Sequence, residues 1–395
     1  MTTANQVQTK HLPKRKGLDM LKGIAIIGIF LYHLIPSIFP GGFLGVPLFF
    51  VLSGYLMFTT STSYLNTETF PVMDYYKKRI RRIIPPLFIM VMLVCCAMTL
   101  MKSRQMIGIR EQILSIFLGY NNWWQIEQDA SYFSHLTNAS PFTHLWFLGV
   151  EMQFYLLWPL LFFLYKKLCR HAGAKHACFL FALLAILSFA AMLMLYHPGK
   201  DPSRVYYGTD TMGFSLFLGM FLGVLRYSFP KLRTSKPAQC EIPILAGMLA
   251  VIFLLFLLVS GNAPLLYLGG MFLISIFFAF VILFFENHKA LFHDLPLSAQ
   301  TAWLGKYSYY IYLWHYPVIV LILTGLHNNH LITKRTIILM KKETYYHEKT
   351  DKNINEIFSL FWNRPVSDRH QHRRLRNLPC AILRCIPVRK RAHAE

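Results

Sequence analysis

Apolar runs close to 20 residues long recur along this chain, and that single feature leaves few folds open to it. They lie near 20–39, 43–60, 83–101, 143–165, 177–196, 211–227, 242–260, 264–285 and 304–326. About 20 apolar residues in a helix cross the hydrocarbon of a bilayer. The expected fold is therefore all-α: a polytopic transmembrane helical bundle of about nine to ten spans. A tenth apolar patch, 108–124, carries Arg110 and Glu111 and reads as a short interfacial or re-entrant helix. Composition closes the other routes. Apolar side chains make up 55% of the 395 residues and charged ones 15%, with a mean hydropathy of +0.40. A soluble domain carries roughly a quarter charged residues, and 33 Phe with 17 Met would overfill its core. A disordered chain, a disulfide-stapled secreted domain and an ordinary cytosolic enzyme are excluded.

The formal charge of +22 could point to nucleic acid, but in so apolar a chain basic residues flank spans and meet anionic lipid. No nucleic-acid partner is expected, and the lipid bilayer is. Lys14, Arg15 and Lys16 precede the first span. Lys77, Lys78, Arg79, Arg81 and Arg82 separate the second and third. Lys166, Lys167, Arg170 and Lys175 follow the fourth, and Arg226, Lys231, Arg233 and Lys236 the sixth. Nine alternating spans put all four groups on one side, which the positive-inside rule makes cytoplasmic. Residues 1–17 then form a cytoplasmic basic N-terminus, the first span is retained rather than cleaved as a signal peptide, and loops 102–142 and 197–210 face outward. The membrane domain covers 18–326. The basic tail, 327–395, has no run that could span; it reads as a disordered or separate element, or as the product of a frame change or truncation. The seven cysteines (95, 96, 169, 178, 240, 380, 385) show no metal-binding or disulfide spacing, and no metal site is expected.

An ionisable side chain at mid-bilayer costs at least about 2.5 kcal/mol, so each is a candidate for function. Asp19 and Lys22 open the first span and His33 lies eleven residues beyond Lys22, about three turns and 16 Å along the same helical face. Lys22 reads as a snorkelling cation or a ligand for phosphate, and His33 as a histidine satisfied by a neighbouring helix or a general base. Arg79 and Arg82, three apart on one face, read as a topological anchor or as guanidinium grips for phosphate. In the fourth run Glu151 follows His144 by seven residues and reaches mid-depth, with Gln153 and Tyr155 beyond it. A carboxylate there either locks two helices or orients an imidazole that acts as base. Ser53-Gly54-Tyr55, Tyr206 to Asp210 (with Tyr207) and Tyr307 to Pro317 (with His315) are weaker signals, since aromatic girdles explain many membrane tyrosines. No serine elbow, phosphate-binding glycine loop, zinc spacing or dinucleotide fingerprint is present.

With these motifs in order (LDMLKGIAIIGIFLYH, GVPLFFVLSGYLM, RRIIPPL, HLWFLGVEMQFYLLWP, YYGTDT, YSYYIYLWHYP) the sequence resembles the acyltransferase-3 family, the integral membrane O-acyltransferases of bacteria, over about residues 15–320. YYGTDT is most similar to the subgroup that O-acetylates peptidoglycan or related polymers through a fused extracytoplasmic domain. The resemblance implies a multi-pass protein of the bacterial inner membrane with no bound cofactor. It implies acyl-CoA, typically acetyl-CoA, as cytoplasmic donor substrate and an envelope glycan as acceptor, with a separate extracytoplasmic transferase as a further partner. His33 would be the catalytic histidine, Glu151 the buried acid, and Arg79 with Arg82 the donor-side pair, joined by Lys22. Asp19, Ser53, His144, Tyr155, Tyr207, Asp210 and His315 would support them. The sequence departs from the pattern at Lys22, where arginine is usual, at Phe147 for serine, at Met212 after YYGTDT, and in its tail. A proton-coupled transporter whose buried His and Glu relay protons, and an inactive relative of the family, are the alternative expectations.

Overall fold

The computed structural model describes residues 15–67, 69–101, 108–133, 140–233, 241–295 and 297–328. Among them there are fifteen helices and no strand: α1 (Lys16–Leu34), α2 (Gly45–Ser61), α3 (Val72–Leu100), α4 (Ile109–Phe117), α5 (Asn121–Glu127), α6 (Trp146–Ala172), α7 (Ala174–Ala177), α8 (Phe179–Leu195), α9 (Ser203–Tyr207), α10 (Thr209–Ser228), α11 (Glu241–Leu258), α12 (Met271–Asn287), α13 (Leu291–Asp294), α14 (Ser298–Lys306) and α15 (Ser308–Asn328). Seven of these segments are long and apolar enough to cross a membrane. With the shorter α8 and with α15 they occupy the nine runs read from the sequence. The 108–124 patch is two short helices, α4 and α5, joined at Gly119. The N-terminal residues 1–14, Lys236 and most of the basic tail lie outside the described residues.

Apolar burial sorts the helices into two kinds. The faces of α3, α8 and α11 point large residues outward, among them Phe88, Met92, Leu187, Phe253 and Leu254, as a surface solvated by hydrocarbon requires. The core is built from α1, α2, α10 and the inner face of α6. There α2 and α10 make the most extensive helix pair, followed by α1 with α14. Lipid offers no hydrophobic drive to join two helices, so close backbone approach must supply the attraction. At the α2–α10 crossing it does: a side chain on Gly54 would run into the Leu216 carbonyl, and one on Gly219 into the carbonyl of Val51.

Two basic residues expected to face lipid are turned inward. Lys166 is buried and its Nζ donates to the carbonyls of Tyr64 (3.1 Å) and Thr67 (2.6 Å), tying the end of α2 to α6. Arg226 pairs with the buried Glu286 of α12 at 3.0 Å, donates to Tyr55 Oη at 3.1 Å and to Asn287 Oδ1, and so joins α2, α10 and α12. A buried charge needs such partners to be tolerated.

Candidate active site

The polar side chains flagged in the sequence gather at two levels of the bundle, and α6 measures the interval between them. At the first level Glu151 of α6 accepts a hydrogen bond from Ser53 of α2. Arg79 and Arg82 of α3 are the charges that act on it, and the Tyr155 hydroxyl adjoins it. The Arg79 guanidinium stacks over the Tyr155 ring, 4.5 Å from its centroid, and lies 5.3 Å from that of Tyr75. Stacking of this kind keeps a cation near hydrocarbon without spending its outward donors. Pro85 and Pro86 interrupt the hydrogen-bond ladder of α3 one turn past the arginines. Beside the prolines Tyr309 of α15 donates to the Ile83 carbonyl (2.8 Å).

The second level holds three imidazoles. His33, next to last in α1, stands with its ring centroid 5.4 Å from that of His315 on α15, and His315 is 5.3 Å from His144, which sits in a 3₁₀ turn just before α6. Tyr316 closes on His33 at 4.8 Å, and Tyr132 faces it edge-on at 6.0 Å. Seven residues separate His144 from Glu151, about 10 Å of helical rise. α15 spans the same interval in the opposite sense, from Tyr309 at the arginine level to His315 at the imidazole level. Tyr312 lies between, its hydroxyl donating to the His144 carbonyl at 2.6 Å. His33 and Glu151, both expected near mid-depth, thus fall into different groups: His33 with His144 and His315, Glu151 with Ser53, Tyr155, Arg79 and Arg82.

The remaining residues from the sequence reading sit apart from these two groups or brace them. Lys22 pairs with Asp19 on its own helix at 2.9 Å. Asp210 is gripped in fork fashion by Arg204 at 3.2 and 2.9 Å. Tyr207 is fully buried beside Trp146 and Tyr132, with ring centroids at 5.2 and 5.9 Å. Burial pushes the phenols of Tyr207 and Tyr132 above their ordinary range, so both stay neutral. Two departures from the family pattern are absorbed by packing: Phe147 stacks on Phe50 at 4.7 Å, and Met212 is fully buried.

Sequence reasoning missed Tyr132, Arg204 and an amide network. Asn122 Nδ2 donates to the Tyr207 carbonyl (3.0 Å) and Thr209 Oγ1 (2.9 Å), and Gln153 Nε2 donates to Asn122 Oδ1 (2.9 Å). Gly149 of α6 permits this approach, because a side chain there would strike Asn122 Oδ1. The signal available was three amides in an otherwise apolar outer segment, Asn121-Asn122 and Gln125.

A family model described as an acyltransferase domain matches residues 15–340. Among curated proteins, YrhL of Bacillus subtilis is 35% identical over 319 residues, covering 80% of this chain and 50% of that protein. The peptidoglycan O-acetyltransferase OatA of Listeria monocytogenes is 33% identical over 325 residues, 81% of this chain and 51% of its own. The O-acetyltransferase OatA of Staphylococcus aureus is 32% identical over 319 residues, 79% and 51% respectively. This chain therefore spans about half the length of the curated relatives it matches. No solved structure matches it.

Proposed function

The chain belongs to the acyltransferase family, and on that premise we propose that it moves an acyl group, most simply acetyl, from acyl-CoA on the cytoplasmic side to a hydroxyl of an envelope carbohydrate. The observation that carries this reading is the pair of levels on α6: a cationic one suited to a polyphosphate-bearing donor, and an imidazole one suited to proton transfer, about 10 Å apart along the helix. The family and the O-acetyltransferases among its relatives point the same way.

In this reading Arg79 and Arg82 hold the donor's phosphates as fixed guanidinium forks, while Ser53 and Glu151 stabilise the pair. At the other level His33 takes the proton of the acceptor hydroxyl. The freed oxygen attacks the thioester carbonyl, the C–S bond breaks, and the thiolate leaves with the proton that His33 held, as CoA thiol. Positioned general-base catalysis of this kind is worth roughly 10²–10⁴ in rate. The basic clusters support a reading with the N-terminus in the cytoplasm of a bacterial cell and the imidazole level toward the outer side.

The test is CoA release from radiolabelled acetyl-CoA by purified membranes, with label counted in the glycan. His33→Ala is expected to abolish labelling at unchanged membrane levels. Labelling equal to the parent, or substrate flux without acetyl-CoA consumption, would overturn the assignment; the second outcome marks a transporter.

A further inference from the structure

Around the imidazole level the described residues leave an unusual number of buried polar atoms without a partner: Gln112 Nε2 of α4, Asn121 Nδ2 and Gln125 Nε2 of α5, both ring nitrogens of His144, His315 Nε2 and the Tyr207 hydroxyl. The six residues are 0–5% exposed. Native proteins leave few such atoms unpaired, and each one calls for an explanation. Their placement is joint. Ser115 reaches the side-chain oxygen of Asn121 at 3.1 Å, and Ser140 donates to that of Gln112. Thr143 donates to the Ser140 carbonyl, and α5 packs on the turn that carries His144. Whichever way the amides of Gln112 and Asn121 are turned, one end meets a serine and the other stays open.

The open atoms are also mixed in kind. His315 Nδ1 lies 2.7 Å from the Tyr312 carbonyl. A carbonyl only accepts, so Nδ1 carries the hydrogen and Nε2 of the neutral ring is an acceptor. A neutral His144 ring offers one donor and one acceptor, and the carbonyls of Pro141, Tyr312 and Leu313 lie beside it. Two carboxylates of this region are committed, Asp201 to Ser131 and the Ser203 amide, Asp210 to Arg204. Among the described residues no three His, Cys, Asp or Glu side chains are placed to hold a metal ion. A set of neutral donors and acceptors without a charge suits neither a phosphate nor a cation. It suits hydroxyl and amide groups, which donate and accept at once.

We infer that Gln112, Asn121 and Gln125, with His144, His315 and Tyr207, form the acceptor subsite, which takes a neutral polyhydroxylated carbohydrate and presents one of its hydroxyls to His33. The inference rests on the proposed function for the identity of the reacting group, but binding at this site does not require the reaction.

The experiment titrates the purified full chain with chitotetraose and reads its melting temperature without acetyl-CoA. Saturating chitotetraose raises that temperature by about 2 °C or more in the parent. In Gln125→Met and in Gln112→Met, on a different helix, the half-saturating concentration rises about tenfold, as expected for a lost hydrogen bond to a buried site. The unliganded melting temperature of both variants stays level or rises, because an open buried amide has been replaced by an apolar side chain of similar length. A parent that consumes acetyl-CoA but is not stabilised by chitotetraose sinks this inference alone. A parent that is stabilised but transfers no acetyl group sinks the proposed function and leaves the subsite standing. Variants that bind like the parent, or that melt well below it without ligand, show amides that only hydrate or hold the fold, and either result overturns the subsite.

Discussion

The arginine level and the imidazole level of α6 are built on opposite rules. At the first, charges are present and braced by the protein: Arg79 lies on Tyr155, and Glu151 takes the Ser53 hydroxyl under two guanidinium groups. At the second stand imidazoles, amides and a phenol, and many of their polar atoms have no partner among the described residues. An ion cannot wait unpaired near hydrocarbon, whereas a neutral amide or imidazole can be left open for a cost of roughly 1–3 kcal/mol. Charge therefore sits where it is held by the protein itself, and open hydrogen-bonding capacity sits where an outside molecule is to complete it.

Substitutions that collapse one level should leave the other measurable. The largest effect is expected from His33→Ala, which removes the proton acceptor and lowers acyl transfer about a thousandfold, read as label in glycan per membrane-bound protein. Next comes Glu286→Leu, a control outside both levels. It leaves Arg226 buried without its ion-pair partner and should destabilise the bundle by about 3 kcal/mol, read as a lowered midpoint of denaturation in detergent. Should it change transfer more than stability, the division between scaffold and site is wrong. Arg79→Lys keeps the charge but loses the planar stack on Tyr155 and the bidentate fork, so the half-saturating acyl-CoA concentration should rise about tenfold with little change in acceptor dependence. A parallel change in acceptor dependence would erase the contrast. The smallest effect is expected from Thr209→Val. It deletes the hydroxyl between Gln153 Oε1 (2.6 Å) and Asn122 Nδ2 (2.9 Å), for about 1 kcal/mol of stability.

Much of this architecture was legible in the amino-acid order. Nine apolar runs became nine helices because the bilayer imposes a length on every span, and the short amphipathic patch at 108–124 could not meet that length. His33, Glu151, Arg79 and Arg82 were visible because an ionisable group in an apolar run announces its own cost. Their grouping was not visible. Whether Glu151 faces Ser53 or His33 depends on the axial register of α1, α2 and α15 against α6, which glycine crossings and single contacts such as Tyr312 with His144 decide. The amides of α4 and α5 escaped for a different reason: a neutral side chain in a segment read as interfacial raises no alarm until its burial is known. Lys166 and Arg226 were read with the surface cations they adjoin in sequence, and only the packing of α2 and α12 turns them inward.

The glycine seam between α2 and α10 has a consequence for how the protein is made. Residues 45–61 leave the ribosome about 165 residues ahead of 209–228, an interval of roughly 8–33 s at ordinary translation speeds. Throughout that wait the bare backbone strip at Gly54 has no helix to receive it, and acyl chains must cover it instead. Because the strip is small and uncharged, lipid can lie against it and later be displaced. A bulky or polar residue introduced there would be felt during insertion, as a chain handed to membrane proteases, before any effect on turnover could be recorded.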